Sequence, residues 1–288
     1  MTLAGSRRTE RAVPLDANRT APVGDPTVGN LLRSWRQRRH LSQLDLANLS
    51  GVTTRHLSFV ETGRSRPSRE MVLHLAEHLD VPLRERNELL LAAGYAPAYR
   101  RTELTNESFD AVRDAIDQVL AAHEPYPALV LDRRWNVVTT NAAAFVLVEG
   151  IDPSLLEPPI NVLRIAVPPA GLAPRIANLD QWSEHILNRL QRQAMLTGDP
   201  ELDELRGELV RLLARSGVVP TAEVVEAPNL VATPMLVESR LGPLALITMI
   251  ATFGTALDIT LAELALETFL PADAETLATL NRYAAERA

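Results

Sequence analysis

The amino-acid sequence predicts two domains: an all-α domain of five short helices, followed by an α+β domain built on an antiparallel sheet with helices. Three observations lead there. Between Thr27 and Gly94, apolar residues recur at three- and four-residue spacing and helix-capping residues separate the runs. From Pro127 onward, short β-rich runs precede and follow helical stretches, the order expected of an α+β domain. The charge also changes sign between the halves. Residues 1–105 hold 16 arginines against 11 acids and residues 106–288 hold 13 against 25, so the net −7 divides into +5 and −12.

A basic front half suits a polyanion, which an acidic back half would repel. All 29 basic residues are arginine, which reads as codon bias toward G and C rather than as a need for bidentate contacts everywhere. The chain has 288 residues, enough for two cores. It has no cysteine, which excludes disulfides and thiolate zinc sites and fits a reducing compartment. No N-terminal run resembles a signal peptide, and the most apolar run, Leu244 to Phe253, is about half of a bilayer span. The expectation is a soluble cytoplasmic protein.

Residues 1–26 carry no periodicity and read as a disordered tail, whose Arg7, Arg8 and Arg11 either touch DNA phosphates or merely solubilise, the second reading being favoured. The first helix buries Val28, Leu31, Leu32 and Trp35, leaving Arg33, Arg36, Arg38 and Arg39 on its remaining surface. Ser42 caps a second helix with Leu44, Ala47 and Leu49 facing inward, and Gly51 permits the turn that follows. Thr53 caps a third helix, with Leu57 and Val60 inward and Thr54, Arg55 and Ser58 outward. Two helices at a steep angle across a glycine turn form a helix-turn-helix, whose second helix fits the DNA major groove. The loop ETGRSRPS then presents Arg64 and Arg66 where backbone phosphates would lie. Ser68 caps a fourth helix through Met71, Leu75 and Leu79, and a fifth runs from Pro82 to Ala93, stopped by Gly94.

The segments SQLDLA, SGVTTRHLSFVETGRSRPS and MVLHLAEHLDVP resemble the XRE-type helix-turn-helix family, whose fold is that of phage repressors and Cro proteins. The resemblance implies a DNA-binding domain over 27–94, with Gln43 a phosphate or base contact and Thr54, Arg55 and Ser58 base readers. Thr53, Arg38, Arg64 and Arg66 complete the expected DNA-binding set. Phe59 falls where some relatives carry a polar reader, and packs either on a thymine methyl or on the protein.

Residues 95–107 are polar and proline-interrupted, a linker. Phe109, Val112, Ile116, Val119 and Leu120 mark an amphipathic helix that packs on the following domain or on a second copy. Ala128–Leu131 and Trp135–Thr139 are expected strands around the turn Asp132-Arg133-Arg134, then a short helix over Asn141–Val148. Residues 180–196 and 201–215 read as helices, and the runs between Leu230 and Phe253 as a hairpin turning at 240–243. Ile259–Phe269 fits strand or helix, with a partly extended segment favoured, and Ala272–Ala285 is helical. The helices are expected on one face of the sheet.

The stretches HEPYPALVLDRRWNVVTTNAAAF, NVLRIAVPPAGLAPRIANLDQWSEHILNRLQRQA and FGTALDITLAELALETFLPADAETLATL resemble the ligand-binding domain of MmyB-like transcription regulators, a PAS-like fold. That places a ligand-binding and dimerisation domain over 108–288. A histidine expected from the resemblance is replaced by Pro168. The resemblance implies a small apolar ligand such as a fatty acid. Arg164 and Arg175 either pair with its carboxylate or form structural ion pairs with Asp180, Glu184 or Glu157. Asn161 either touches ligand or caps a turn, and Trp182, like Trp135, is ligand wall or core.

No catalytic constellation is present: His74 and His78 share a helical face without a third ligand, and no nucleophile elbow or phosphate loop occurs. The expectation is therefore no enzyme, no metal and no cofactor. Two functions remain. One is a homodimeric regulator reading a (pseudo)palindromic double-stranded operator and sensing a small molecule. The other keeps the DNA reader but gives the back domain only dimerisation or recruitment of a protein partner.

Overall fold

The computed structural model of the chain describes residues 26–218 and 232–287. The tail expected over 1–26 lies outside them except for its last residue, as do the first two residues of the β-rich run expected from Leu230. The front half folds as α1 (Val28–Arg38), α2 (Gln43–Ser50), α3 (Thr54–Glu61), α4 (Arg69–His78) and α5 (Leu83–Ala92). Thr27, Ser42, Thr53 and Ser68 each accept a hydrogen bond from the backbone N–H three residues on, satisfying an otherwise orphaned donor. Asp45 returns a bond to the Ser42 N–H at 2.8 Å, completing a capping box. Gly51 ends α2 at φ +67°, a conformation that a β-carbon would strain.

Leu32, Leu46, Leu57, Val60, Val72, Leu75, Leu89 and Leu90 are buried together as the core of this half. Leu44 and Leu49, expected inside, are exposed at 58% and 56%, and Leu46 and Ala47 take the inward positions. Residues 44 and 49 stand about 140° apart on a helix, so both cannot face a core that already takes 46, 47 and 50. Gly29 brings α1 against α3, since a β-carbon there would sit 2.4 Å from the Val60 carbonyl oxygen. Beside this contact Arg36 is buried and forms a bidentate pair with Glu61 at 2.7 and 2.8 Å. It also donates to the Leu41 carbonyl, and Gln43 Nε2 donates to Glu61 Oε2 at 2.8 Å. One buried carboxylate thus ties α1, α2 and α3 together.

Residues 95–106 are polar as expected but are held at both ends. Asn87 of α5 bonds to the backbone of Ala98 and Tyr99, while Thr102 Oγ1 donates to Asp258 Oδ2 at 2.7 Å. The back half comprises α6 (Asp110–Ala122), β1 (Ala128–Leu131), β2 (Val137–Thr140), α7 (Phe145–Val148) and α8 (Val162–Ala166). The long α9 (Leu179–Thr197) and α10 (Pro200–Arg215) follow, then β3 (Met235–Ser239) and β4 (Gly242–Thr252). It closes with α11 (Ile259–Ala262), β5 (Ala265–Pro271) and α12 (Ala274–Arg287). The sheet is antiparallel throughout in the order β2-β1-β5-β4-β3, so the last strand of the chain lies at its centre. This is a PAS-like α+β domain.

One sheet face carries Leu129, Leu131, Val237, Leu246 and Phe269 beneath α9 and α10, whose Leu190 and Leu209 are fully buried. The other face packs Ala128, Val130 and Leu264 against Ile116 and Leu120 of α6. Helices therefore cover both faces, where the sequence reading put them on one: α6 precedes the first strand and folds back beneath it. The ambiguous stretch from Ile259 resolves into a single helical turn, capped by Asp258, followed by β5. Trp135, expected to open a strand, instead sits in the turn at φ +69° and the strand starts at Val137.

Replacing Glu61 by alanine leaves Arg36 buried without its carboxylate. Urea unfolding of the variant is expected to show a loss of about 3 kcal/mol. Leu44→Ala on the exposed side of α2 is expected to cost less than about 1 kcal/mol.

Candidate functional site

Two places on the chain carry functional geometry: the outward face of α3 and a cavity in the back half. On α3, Arg55 is exposed, with Thr54 and Ser58 partly so. The Arg55 guanidinium lies 5.4 Å from the ring centroid of half-buried Phe59, so the two side chains stack on the outward side of α3. Thr53 uses its hydroxyl to cap the helix. The following loop is held to α3 by Arg64 and Ser65 N–H groups donating to the Phe59 carbonyl. Among the described residues the Arg64 side chain is exposed and engages no hydrogen-bond or ion-pair partner.

The other expected DNA contacts also touch the protein itself, Arg38 and Arg66 while still exposed. Gln43 points its amide at buried Glu61. Arg66 donates twice to the Ala93 carbonyl, at 3.2 and 2.8 Å, and lies over the Tyr95 ring, tying the loop to the end of α5. Arg38 stacks on Trp35 and its guanidinium lies against Gly198, in the turn between α9 and α10. Its neighbour Arg39 donates to Leu79, Asp80 and Leu196 carbonyls. The C-terminal end of α1 thus meets the back half of the chain.

The cavity lies between the sheet and α7–α9, with a volume of about 350 Å³, within the range of small-molecule sites. Trp135, Trp182, Ile186, Phe269, Leu163 and Phe145 are among its walls, and among the described residues its only non-apolar lining residues are Thr139, Thr140, Thr248 and Glu267. Of the four residues expected to hold a ligand, Trp182 alone lines it. Arg164 pairs with Glu208 on α10 at 2.9 Å and faces a separate polar cleft, not one of the acids weighed from sequence. Arg175 donates to the carbonyls of Val146, Leu147, Glu149 and Glu238, clamping the end of α7 to β3. Asn161 is buried, caps α8 through Leu163 and Arg164 N–H groups, and donates to the Arg134 carbonyl and Asn136 Oδ1. Helix-end carbonyls and caps draw such side chains inward because unpaired backbone groups are costly to bury.

Sequence reasoning missed Glu267 and Arg189. Glu267 Oε1 accepts from Arg189 Nη1 at 3.0 Å, and the Arg189 guanidinium lies 4.1 Å from the Trp135 ring centroid. Burial pushes the Glu267 carboxyl above its ordinary pKa, with Arg189 pulling the other way. The available signal was a charge two residues before Phe269 in an apolar run, which on a strand puts both on one face.

Between the halves, Arg84 of α5 forms a bidentate pair with Glu263 at 2.7 and 2.6 Å. Arg133, in the β1–β2 turn, reaches Asp199 at 3.1 Å, Glu85 at 3.4 Å and Glu263 at 3.6 Å. The same turn is gripped from the cavity side. Gln193 of α9 accepts from Trp135 Nε1 and donates to the Arg133 carbonyl, both at 2.8 Å. One cation shared among three carboxylates does not fully offset burial, which pushes Glu85 up to about 7.

Residues 112–282 match the pattern of the MmyB-like transcription regulator ligand-binding domain, and residues 27–89 match a helix-turn-helix domain. Two uncharacterized HTH-type transcriptional regulators of Mycobacterium tuberculosis, from strains CDC 1551 / Oshkosh and ATCC 25618 / H37Rv, are each 33% identical over 104 residues. That stretch is 36% of this chain and 66% of either relative. A solved structure of an RNA-binding light-oxygen-voltage receptor aligns over 91% of this chain and 63% of its own, at 13% identity and a TM-score of 0.24, too low to establish a shared fold. No helix of the described residues is long and apolar enough to cross a membrane.

Glu85 makes the contact between the halves pH-dependent. Its folded pKa of about 7 lies above the ordinary 4.5, so the folded form binds the extra proton and stability falls as pH rises between those values. Glu85→Gln, which mimics the protonated group, is expected to match wild type near pH 5 and to exceed it by on the order of 2 kcal/mol near pH 8. Unfolding free energies of both proteins across this range check it.

Proposed function

We propose, for a chain that belongs to the MmyB-like transcription regulators, that an apolar molecule held in the cavity sets how firmly α3 engages operator DNA. The observation that carries this reading is the β1–β2 turn. Trp135 lines the cavity, and two residues away Arg133 contacts Glu85 on α5 of the helix-turn-helix half. A ligand that moves the Trp135 ring therefore acts on the seat of the DNA-binding half. It shifts the balance only by its differential affinity for two arrangements, about 1.4 kcal/mol for a tenfold effect.

In this reading Arg55 donates to the O6 and N7 of a guanine, with Thr54 and Ser58 beside it, and Arg64 binds phosphate without reading sequence. A fatty acid suits the size and lining of the cavity. With its chain inside, its carboxylate would emerge beside Phe145, an exposed wall residue over which Arg287 stacks at 5.2 Å. The protein acts as a homodimer on a (pseudo)palindromic operator, its half-sites about one helical turn apart. Exposed Leu236, Ile247 and Met249 on β3 and β4 support a self-association surface on the sheet face that α6 leaves open. The same surface favours the second reading, in which the back half serves only dimerisation or a protein partner.

Mass spectrometry of the native protein and thermal shifts across a fatty-acid series separate the two readings. A co-purifying amphiphile and stabilisation rising with ligand concentration are expected, and a cavity that takes up nothing sinks the sensor. For the reader, Arg55→Ala is expected to relax preference at one base position by about 1–3 kcal/mol. Arg64→Ala should weaken every sequence alike, as measured on single-base operator variants. For the coupling, Arg133→Ala is expected to bind ligand as wild type does while its operator affinity no longer responds to ligand. A full response in that variant would reject the turn as the link.

A further inference from the structure

Glu267 is a carboxyl with unmet hydrogen-bonding capacity set into an apolar wall. It stands on β5, the central strand, opposite Leu129 on one side and Ile250 on the other. Leu129 in turn pairs with Thr140, so Thr140, Leu129 and Glu267 form one row across the cavity face. Thr248 lies diagonally from Glu267, opposite Phe269 on the same face, within reach of a small polar group placed between them. The Glu267 side chain is 6% exposed, yet it belongs to the cavity lining.

A carboxylate has about four acceptor sites. Here Oε1 meets Arg189 Nη1, and Oε2 has no hydrogen-bond partner among the described residues. Arg189 is positioned behind the wall, stacked on Trp135 and absent from the lining, so it balances the charge of Glu267 without presenting its own to the cavity. Thr140 and Thr248 also line the cavity. Oε2 is not itself sealed in the wall, so it stays reachable from the cavity. Burial raises the carboxyl's pKa, while the ion pair with Arg189 pulls the other way by favouring the carboxylate, whose Oε2 is an acceptor.

We propose that Glu267, with Thr248 diagonally beside it, receives a hydrogen-bond donor on the buried end of the ligand, so that the cavity selects an apolar molecule bearing a hydroxyl or amine there. The assignment rests on the cavity being the ligand site. A carboxylate arriving at this end would meet Glu267 as a like charge, so a fatty acid can occupy the cavity only chain first. A donor group offered to Oε2 meets no such obstacle and satisfies the acceptor that the fold leaves open.

The test is a matched ten-carbon series, 1-decanol, decylamine, decanoic acid and methyl decanoate, titrated calorimetrically against the full chain. Wild type is expected to bind the alcohol and the amine at least tenfold more tightly than the ester. Glu267→Gln, with its fold checked by circular dichroism and thermal melting, should lose the preference for the amine and bind the acid more tightly than wild type does. Thr248→Val should weaken the alcohol severalfold and leave the ester unchanged. If Glu267→Gln does not fold, the wild-type ranking and Thr248→Val decide. Equal binding of alcohol and ester to wild type, or an unchanged ranking in Glu267→Gln, overturns the role of Glu267 while leaving the cavity as the ligand site. Failure of all four compounds to bind overturns both.

Discussion

The joint between the two halves depends on keeping Arg133 paired while it is largely removed from water. Its side chain is 19% exposed and lies within ion-pair distance of carboxylates from α5, the α9–α10 turn and the residue that ends α11. A guanidinium held there without those partners would bear a desolvation penalty that the fold does not otherwise compensate. The three acids must therefore gather around it, and they come from both halves of the chain. The neighbouring Arg84–Glu263 pair and the Thr102–Asp258 bond reinforce the same seam. A seam of charges resembles transient interfaces more than a core, which suits two units that must be able to change their relation.

The arginines of the front half divide accordingly. Arg36 is buried with Glu61, Arg39 and Arg66 bond to backbone carbonyls, and Arg38 lies against Gly198. Arg55 and Arg64 remain exposed on and beside α3. A positive total thus overstates the charge available to a polyanion, because several cations serve the protein's own electrostatics. The cavity follows the reverse logic. The visible arginines near it, Arg164 and Arg175, are engaged elsewhere, while Glu267, an acid on its wall, was hidden in a strand whose pairing depended on distant partners.

Much of the front half was legible because its determinants are local. The caps Ser42, Thr53 and Ser68 act on N–H groups three residues away, and Gly51 acts on its own φ. The failure at Leu44 and Leu49 arose where a short helix offered apolar residues on more than one side, and the core around Leu46 chose. In the back half, Ile259–Phe269 was ambiguous because a helical turn and a central strand adjoin without a polar break, and β5 takes its identity from β1 and β4. Arg175 was ambiguous because the carbonyls it satisfies come together only after folding, whereas the cap by Asn161, one of its two expected roles, acts on N–H groups two and three residues on.

By itself the sequence determined the helix-turn-helix, the division into a basic and an acidic half, the β1–β2 and β3–β4 hairpins and the outward placement of Arg55, all governed by residues near one another in the chain. The tertiary structure alone decided that Glu267 faces a cavity, that Arg189 balances it from behind Trp135, and that Arg133 joins that wall to α5. These depend on side chains brought together from far apart, where burial sets how strongly each charge must be answered.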